Sequence, residues 1–390
     1  MAKTNKVPDL RFADFAGEWE EKKLSDLGKI SAGGDVDKKK IKNEGNYPVI
    51  ANGDSNNGII GYYNDSYKIS DPAVTISARG NIGTAVPRNY PFTPVIRVLT
   101  LISENNIYFM SEVINRLRIF NESSGVPQLT SPQFGAYKIF ITGLNEQEKI
   151  GDLFKKIDDL IEIQESKVFK MEDFKKSMLQ KMFPKKDELV PEFRFEGYYG
   201  EWQSTKLKHI GIVKSGVGFP EKFQGGISGI PFFKVSDMNL DSNNIIMKNA
   251  QNYVSEIDII KNKWNVITDK PAIIFAKVGA AIFLERKRIV TENFLIDNNM
   301  MAFIPKVKLD LYFFKVLLDT TRLTKYAQSG ALPSYNANDI YSIPIILPSL
   351  AEQEKIGQFF KNLDAQIETE KKLLDSYKLM KKSLLQKLFV

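Results

Sequence analysis

Cysteine is absent from this 390-residue chain, and histidine occurs once, at His209. Without cysteine no disulfide, thiolate metal site or thiol nucleophile is available. A Ser-His-Asp triad or a zinc site would have to be built around His209 alone, and His209 is expected to be a structural residue near the start of the second half. No run of about 18 apolar residues occurs, so no membrane-spanning helix is expected. The opening MAKTNKVPDLRF lacks the apolar core of a secretory signal; a cytoplasmic location is the expectation. There is no Gly-x-x-x-x-Gly-Lys-Ser/Thr phosphate loop, which excludes nucleotide hydrolysis of that kind. Also missing are the Asn/Asp-Pro-Pro-Tyr/Phe segment usual in the adenine pocket of amino-methyltransferases and a glycine-rich cofactor fingerprint after a strand.

What is present is ordinary in bulk: 43% hydrophobic and 26% charged residues, with room for two or three domains. A formal net charge of +7 fits a polyanionic partner, although charge alone does not decide it. The decisive pattern is internal repetition. Val7-Pro8-Asp9-Leu10-Arg11-Phe12 returns as Val190-Pro191-Glu192-Phe193-Arg194-Phe195, and Gly17-Glu18-Trp19 as Gly200-Glu201-Trp202. Lys23-Leu24, Gly28 and Gly33 recur in register as Lys206-Leu207, Gly211 and Gly216. Later in each half, Glu146-Gln147-Glu148-Lys149-Ile150-Gly151 matches Glu352-Gln353-Glu354-Lys355-Ile356-Gly357. Lys175-Lys176-Ser177-Met178-Leu179-Gln180-Lys181 matches Lys381-Lys382-Ser383-Leu384-Leu385-Gln386-Lys387, with Phe183 answering Phe389. The chain is a tandem duplication in which shared flanks enclose two dissimilar inserts.

From residue 146 to 183 the apolar positions Ile150, Phe154, Ile157, Ile161, Val168 and Met171 alternate steps of four and three, apart from one break. Ile356, Phe360, Leu363, Ile367, Leu374 and Tyr377 repeat the spacing. Such seams predict two coiled-coil-like helices, each about 55 Å long. Acids and lysines nearly balance along them, so they suit a spacer and docking surface better than a DNA clamp. Each seam is broken by a polar residue, Gln164 or Glu370. In an antiparallel, fully overlapped pair these two would lie close and could fix register. Ile150, Phe154, Ile157, Ile161 and Gln164, with Ile356, Phe360, Leu363, Ile367 and Glu370, are the candidate interface residues.

The inserts, residues 20–144 and 203–350, mix short β-rich runs with turns. Val74–Ser77 and Ala272–Phe275 are predicted as buried strands, 105–120 and 309–326 as helices, and 139–141 and 343–347 as closing strands. An α+β domain made twice is the expectation. Its loops carry the candidate DNA contacts. In the first insert these are Asn52, Asp54, Asn56, Asn57, Ser77, Arg79 and Asn81; in the second they are Lys234, Ser236, Asp237 and Lys277. Glycines nearby allow close approach of backbone, amides and carboxylates suit base edges, and Arg or Lys suits phosphate or guanine. The basic runs Lys38-Lys39-Lys40 and Arg286-Lys287-Arg288 are expected to face solvent or the phosphate backbone. Pro8-Asp9 with Glu20-Glu21-Lys22 fits a loose nuclease metal pattern. The second copy holds Gln203-Ser204-Thr205 there, so the match is taken as chance.

Together these motifs resemble the specificity subunits of type I restriction-modification systems, over essentially the whole chain. The two Glu-Gln-Glu-Lys-Ile-Gly helix starts and the Lys-Lys-Ser-x-Leu-Gln-Lys-x-Phe ends carry the resemblance. Pro348-Ser349-Leu350, Gly125-Val126-Pro127, Ala331-Leu332-Pro333, Ile76-Ser77-Ala78-Arg79-Gly80 and Asp297-Asn298-Asn299-Met300 add to it. The resemblance implies two tandem-repeated target-recognition domains joined by two long antiparallel coiled-coil-like helices with pseudo-twofold symmetry. The implied segments are 1–144, 145–184, 185–350 and 351–390: reader, spacer, reader, spacer. It further implies double-stranded DNA as ligand, one half of a bipartite site per reader, and no catalysis in this chain. Two modification subunits would supply S-adenosylmethionine chemistry on adenine, and two restriction/translocase subunits would use ATP and magnesium. Competing expectations are a metal-dependent nuclease acting alone and a protein-binding coiled-coil scaffold.

Overall fold

The computed structural model describes residues 6–53, 55–119, 127–328 and 332–390. They divide into two compact units: unit 1 is Met1–Ser166 with Lys371–Val390, and unit 2 is Lys167–Glu370. Both expected long helices are present, at Leu144–Lys181 and Leu350–Leu388. Each changes unit midway along its length, so each unit holds the start of one helix and the end of the other.

Unit 1 contains the strands β1 (Glu20–Lys23), β2 (Gly28–Ala32), β3 (Tyr47–Ile50), β4 (Ile59–Tyr63), β5 (Ala73–Ser77), β6 (Ala85–Arg88), β7 (Thr93–Pro94), β8 (Val98–Ser103) and β9 (Lys138–Ile141). They form an antiparallel sheet ordered β2-β8-β5-β6, a three-stranded sheet β4-β3-β7 and a two-stranded ladder β1-β9. Unit 2 contains β10 (Gln203–Lys206), β11 (Gly211–Ser215), β12 (Ile230–Phe233), β13 (Tyr253–Val254), β14 (Ala272–Ala276), β15 (Lys287–Val290), β16 (Leu295–Ile296), β17 (Met300–Pro305) and β18 (Pro344–Leu347). The orders β11-β17-β14-β15, β13-β12-β16 and β10-β18 repeat the plan of unit 1. A parallel strand pairing recurs too, β3 with β7 and β12 with β16.

Alternation along the central strand explains the layering. In β14, Ile273 and Phe275 point into the core on the helix side, while Ala272 and Ile274 enter a second core with Phe233 and Phe294. In β5, Val74 and Ile76 take the helix side and Ala73 joins Ile50, Phe92 and Val98 on the other. A strand buried on both faces needs apolar residues at successive positions, as in the all-apolar β14; β5 instead buries Thr75, whose hydroxyl accepts from Arg88 at 3.1 Å. The predicted helix over 105–120 is observed as Ile107–Asn115, with Phe120 outside the described residues, and Asn106 sets its start: its side-chain oxygen accepts the Tyr108 and Phe109 amides, each at 3.0 Å. Its counterpart, Leu311–Thr320, is capped by Asp310, which accepts the Phe313 amide at 2.7 Å. The rest of the predicted 309–326 span ends in a separate short turn, Leu323–Tyr326.

The repeated motifs meet one another. In unit 1, Arg11 makes a two-pronged bond to Glu146 at 2.7 and 2.8 Å, and the Leu10 amide donates to the Lys387 carbonyl at 2.9 Å. In unit 2, Arg194 grips Glu352 at 2.7 Å through both nitrogens, and the Phe193 amide donates to Lys181 at 2.8 Å. The next residue of each helix motif reaches the capped helix: Gln147 accepts the Asn106 amide and Gln353 the Asp310 amide, both at 3.2 Å. A Cβ on Gly151 would sit 2.1 Å from the Asn106 side-chain oxygen, and one on Gly357 2.0 Å from that of Asp310, so only glycine fits. The helix ends are pinned by aromatics. Phe389 packs on Trp19, Phe109 and Phe154 in unit 1, and Phe183 on Trp202, Phe313 and Phe360 in unit 2.

Candidate nucleic-acid interface

The first insert's candidate residues come from two neighbouring loops. Asn52 follows β3 and its side-chain oxygen accepts the Ala78 amide at 2.8 Å, tying the 52–57 loop to the β5–β6 hairpin turn. That turn is closed by Gly83 N–H to the Ser77 carbonyl at 2.8 Å and runs through left-handed glycines at 80 and 83. Asn81 is exposed at its tip and Ser77 half-buried at its base. Arg79 is half-buried, with its Nε enclosed and lacking a hydrogen-bond partner. Asn56 and Asn57 are exposed at φ 49° and 50°, a left-handed conformation that asparagine tolerates. Asp54, Gly125, Val126 and Ala331 lie outside the described residues.

The second insert repeats the juxtaposition with different chemistry. Lys234 follows β12 and bonds Gln224 at 3.0 Å. Ser236 is exposed. Asp237 is fully buried, accepting the Lys234 amide at 2.7 Å and the Gln251 amide at 3.0 Å, and burial raises its pKa above the usual carboxylate range. Its oxygens are taken by backbone amides, so Asp237 ties the turn to the Gln251 segment. Arg286 bonds the Asn239 side chain and Arg288 the Met238 carbonyl, bringing the 286–288 run against the 234–239 turn. Lys277 is half-buried at the β14–β15 turn, its amide and carbonyl bonded to Asn299 and Tyr335.

One expectation about these residues is corrected. Lys287 does not face solvent: its side chain is fully buried and paired with Glu285 at 2.6 Å. It lies on β15 between exposed turn and core, where an unpaired ammonium would be strongly unfavourable, and Glu285 neutralises it. The sequence also gave no hint of Arg88, buried and bonded to Thr75 at 3.1 Å and the Asn57 carbonyl at 2.5 Å. An arginine two residues before a tyrosine in a β-rich run carries no burial signal of its own.

The nuclease-like pattern dissolves into scaffold. Glu20 and Glu21 lie on exposed β1, paired with Lys22 at 3.0 Å and Lys138 at 2.8 Å, and the matching strand β10 makes the same ladder without carboxylates. Among the described residues no cluster of three or more metal-ligating side chains occurs. His209 is exposed in the short helix Leu207–Ile210, with Nδ1 3.4 Å from the Thr205 hydroxyl. No helix among the described residues is long and apolar enough to cross a membrane.

On the helices, Ile150, Phe154 and Ile157 are buried in unit 1 with Gln164, and Ile161 is partly buried. Ile356, Phe360, Leu363 and Ile367 are buried in unit 2. Glu370 bonds Lys167 at 2.7 Å. Within unit 1, Lys381 reaches Asp158 at 2.6 Å and Lys378 reaches Glu165 at 2.6 Å; within unit 2, Lys175 reaches Asp364 at 2.5 Å. Partner numbers rise on one helix as they fall on the other, so the segments run antiparallel. Lys381 also bonds Glu112 at 2.7 Å, whose carboxyl burial pushes upward in pKa against the pull of that lysine.

The two units follow one plan and differ at corresponding loops. The chain belongs to the type I restriction modification DNA specificity domain family, whose family model matches residues 16–172 and 199–377, one match per copy of the repeat. It is 24% identical over 306 residues to the type I restriction enzyme MjaVIII specificity subunit of Methanocaldococcus jannaschii, covering 69% of this chain and 65% of that protein. A Mycoplasma pneumoniae protein provisionally named a type I specificity subunit is 31% identical over 134 residues, 33% of this chain and 37% of that one. The chain thus spans less than two thirds of the length of either relative. Its fold is similar to the crystal structure of a type I restriction-modification S subunit from M. genitalium, with a TM-score of 0.71 at 18% identity over 98% of this chain and 99% of that one. It is similar also to a chain from a structure describing complex assembly and conformational transition of the type I R-M system, with a TM-score of 0.53 at 14% identity over 95% and 97% of the two chains.

Proposed function

We propose that this chain is the non-catalytic, cytoplasmic specificity subunit of a type I restriction-modification complex, reading a bipartite DNA target with one half-site per insert. The observation that carries the proposal is the repeated juxtaposition of loops: 52–57 against 77–81 in unit 1, and 234–239 against 277–288 in unit 2. The same scaffold presents different side chains at corresponding places, which is what two unlike half-sites require. Asn56, Asn57, Arg79 and Asn81, and Ser236, Lys277, Arg286 and Arg288, are the proposed contacts. Asn52, Ser77, Lys234 and Asp237 position the loops from below, and Lys287 does so through Glu285. In this reading segments 1–144 and 185–350 are the readers and 145–184 and 351–390 the spacers.

The helices, 38 and 39 residues long, set the unread gap and offer the platform for two modification and two restriction subunits. S-adenosylmethionine would then belong to the modification subunits, and ATP and magnesium to the restriction subunits. The polar breaks at Gln164 and Glu370 fix helix register.

The test is sequencing of methylated adenines in cells carrying this chain with its modification partner. A bipartite motif is expected, and exchanging residues 20–144 for another member's insert should change one half only. Binding that is insensitive to salt would favour a protein scaffold instead, since phosphate contacts demand a steep fall of affinity with ionic strength.

A further inference from the structure

The turn joining β14 to β15 carries two adjacent large apolar side chains in water, Phe283 (64% exposed) and Leu284 (57%). Isolated exposed apolar residues are common, but an adjacent pair on a firmly held turn calls for an explanation. The turn is fixed from beneath. Gly279 donates to the Pro333 carbonyl at 2.9 Å, and the Tyr335 amide donates to Lys277 at 2.9 Å. Glu285, left-handed at φ 50°, ends the turn. Its carboxylate accepts the Leu323 amide at 3.2 Å, the Thr324 amide at 2.9 Å, the Thr324 hydroxyl at 2.7 Å and the buried Lys287 ammonium at 2.6 Å. Four donors on one carboxylate leave the tip little freedom, and they draw the Leu323–Tyr326 turn alongside it.

The surroundings are cationic. Arg286 bonds a neutral partner, Asn239, and among the described residues Lys277, Arg286, Arg322 and Lys325 make no ion pair. The corresponding turn of unit 1 differs: it holds Arg79 and exposed Asn81, with only a half-buried Ile82. An apolar pair with unpaired cations on its own turn and on the turn alongside matches one feature of a DNA groove. The 5-methyl group of thymine is the apolar group on major-groove base edges, and phosphates flank it on both sides.

We propose that Phe283 and Leu284 are specificity-determining residues that read thymine methyl groups in the half-site of unit 2, with Arg286 and Lys277 on the adjoining phosphates. The inference rests on the DNA-reading role proposed above. Its test uses the full chain assembled with its modification subunit and duplexes bearing the motif found by methylation sequencing. Each thymine of the half-site that survives exchange of residues 20–144 is replaced in turn by uracil, which pairs alike but lacks the methyl. Wild-type affinity should fall about three- to fivefold at one or two positions, the loss for one buried methyl. Phe283→Ala should bind the thymine duplex more weakly by a similar factor and be indifferent to uracil there, while Phe283→Leu keeps part of the response.

Uracil sensitivity that persists in Phe283→Ala, or that is absent from the half-site altogether, overturns the inference and leaves DNA reading intact. Loss of assembly with the modification subunit alongside a full uracil response assigns the pair to a protein contact and also overturns it. If the wild-type complex shows no sequence-specific binding, the proposed function falls and this inference with it.

Discussion

Replacing Arg11 by methionine should loosen unit 1 far more than the loss of one surface ion pair would. The Arg11 side chain is 13% exposed and Glu146 2%, and the arginine supplies two hydrogen bonds to that carboxylate and one to the Gly17 carbonyl. An exposed pair contributes about 0–1 kcal/mol. Removing one partner of a buried pair instead strands a charge and costs about 3–5 kcal/mol. The companion change Glu146→Leu removes the stranded charge, so the double variant Arg11→Met/Glu146→Leu should recover most of the loss. The three tryptophans make the assay local: Trp19 is in unit 1, Trp202 and Trp264 in unit 2. Denaturant unfolding followed in a Trp202→Phe/Trp264→Phe background reports unit 1 through Trp19. If single and double variants unfold at the same denaturant concentration, the argument from a stranded carboxylate is wrong and the pair is only a packing contact.

Further expectations follow from the same geometry. Phe389→Ala should destabilise unit 1 by about 3–5 kcal/mol through the cavity left against Trp19, Phe109 and Phe154, seen as an early Trp19 transition in denaturant. Lys381→Met should give a pH-dependent defect. Burial already holds the Glu112 pKa above its unfolded value, so stability falls as pH rises between the two; without the lysine that window extends upward. The variant should therefore approach wild type near pH 4–5 and fall furthest behind above neutrality in thermal unfolding, whereas an equal deficit at both ends would refute it. Inserting seven residues into each long helix should add about 10 Å, roughly three base pairs, to the unread gap of the methylation motif and leave both half-sites unchanged.

The duplicated frame was legible because its residues repeat in order, and the seams because apolar positions four and three apart leave a trace that short strands do not. What the sequence could not show is that the repeats are partners of one another. Arg11 and Glu146 are 135 positions apart, and nothing local signals a bond between them. The loops were harder still. Lys287 stands in a basic run that looks solvated, yet β15 turns it inward onto Glu285. Asp237 looks available for base contact but spends its oxygens on the backbone amides of Lys234, in its own turn, and of Gln251. Polar character alone does not separate a side chain that faces a ligand from one that builds the loop beneath it, and burial decides between them.

The close approach at Gly151 and Gly357 limits what can be joined to either long helix. Each incoming domain must deliver a short oxygen-bearing residue, Asn or Asp, at the head of its helix, seated against a backbone that has no side chain to move aside. Phe109 and Phe313, three residues further on, then meet Phe389 and Phe183. Under the proposed function, an exchanged insert should seat only if it carries both the capping oxygen and the ring that follows it.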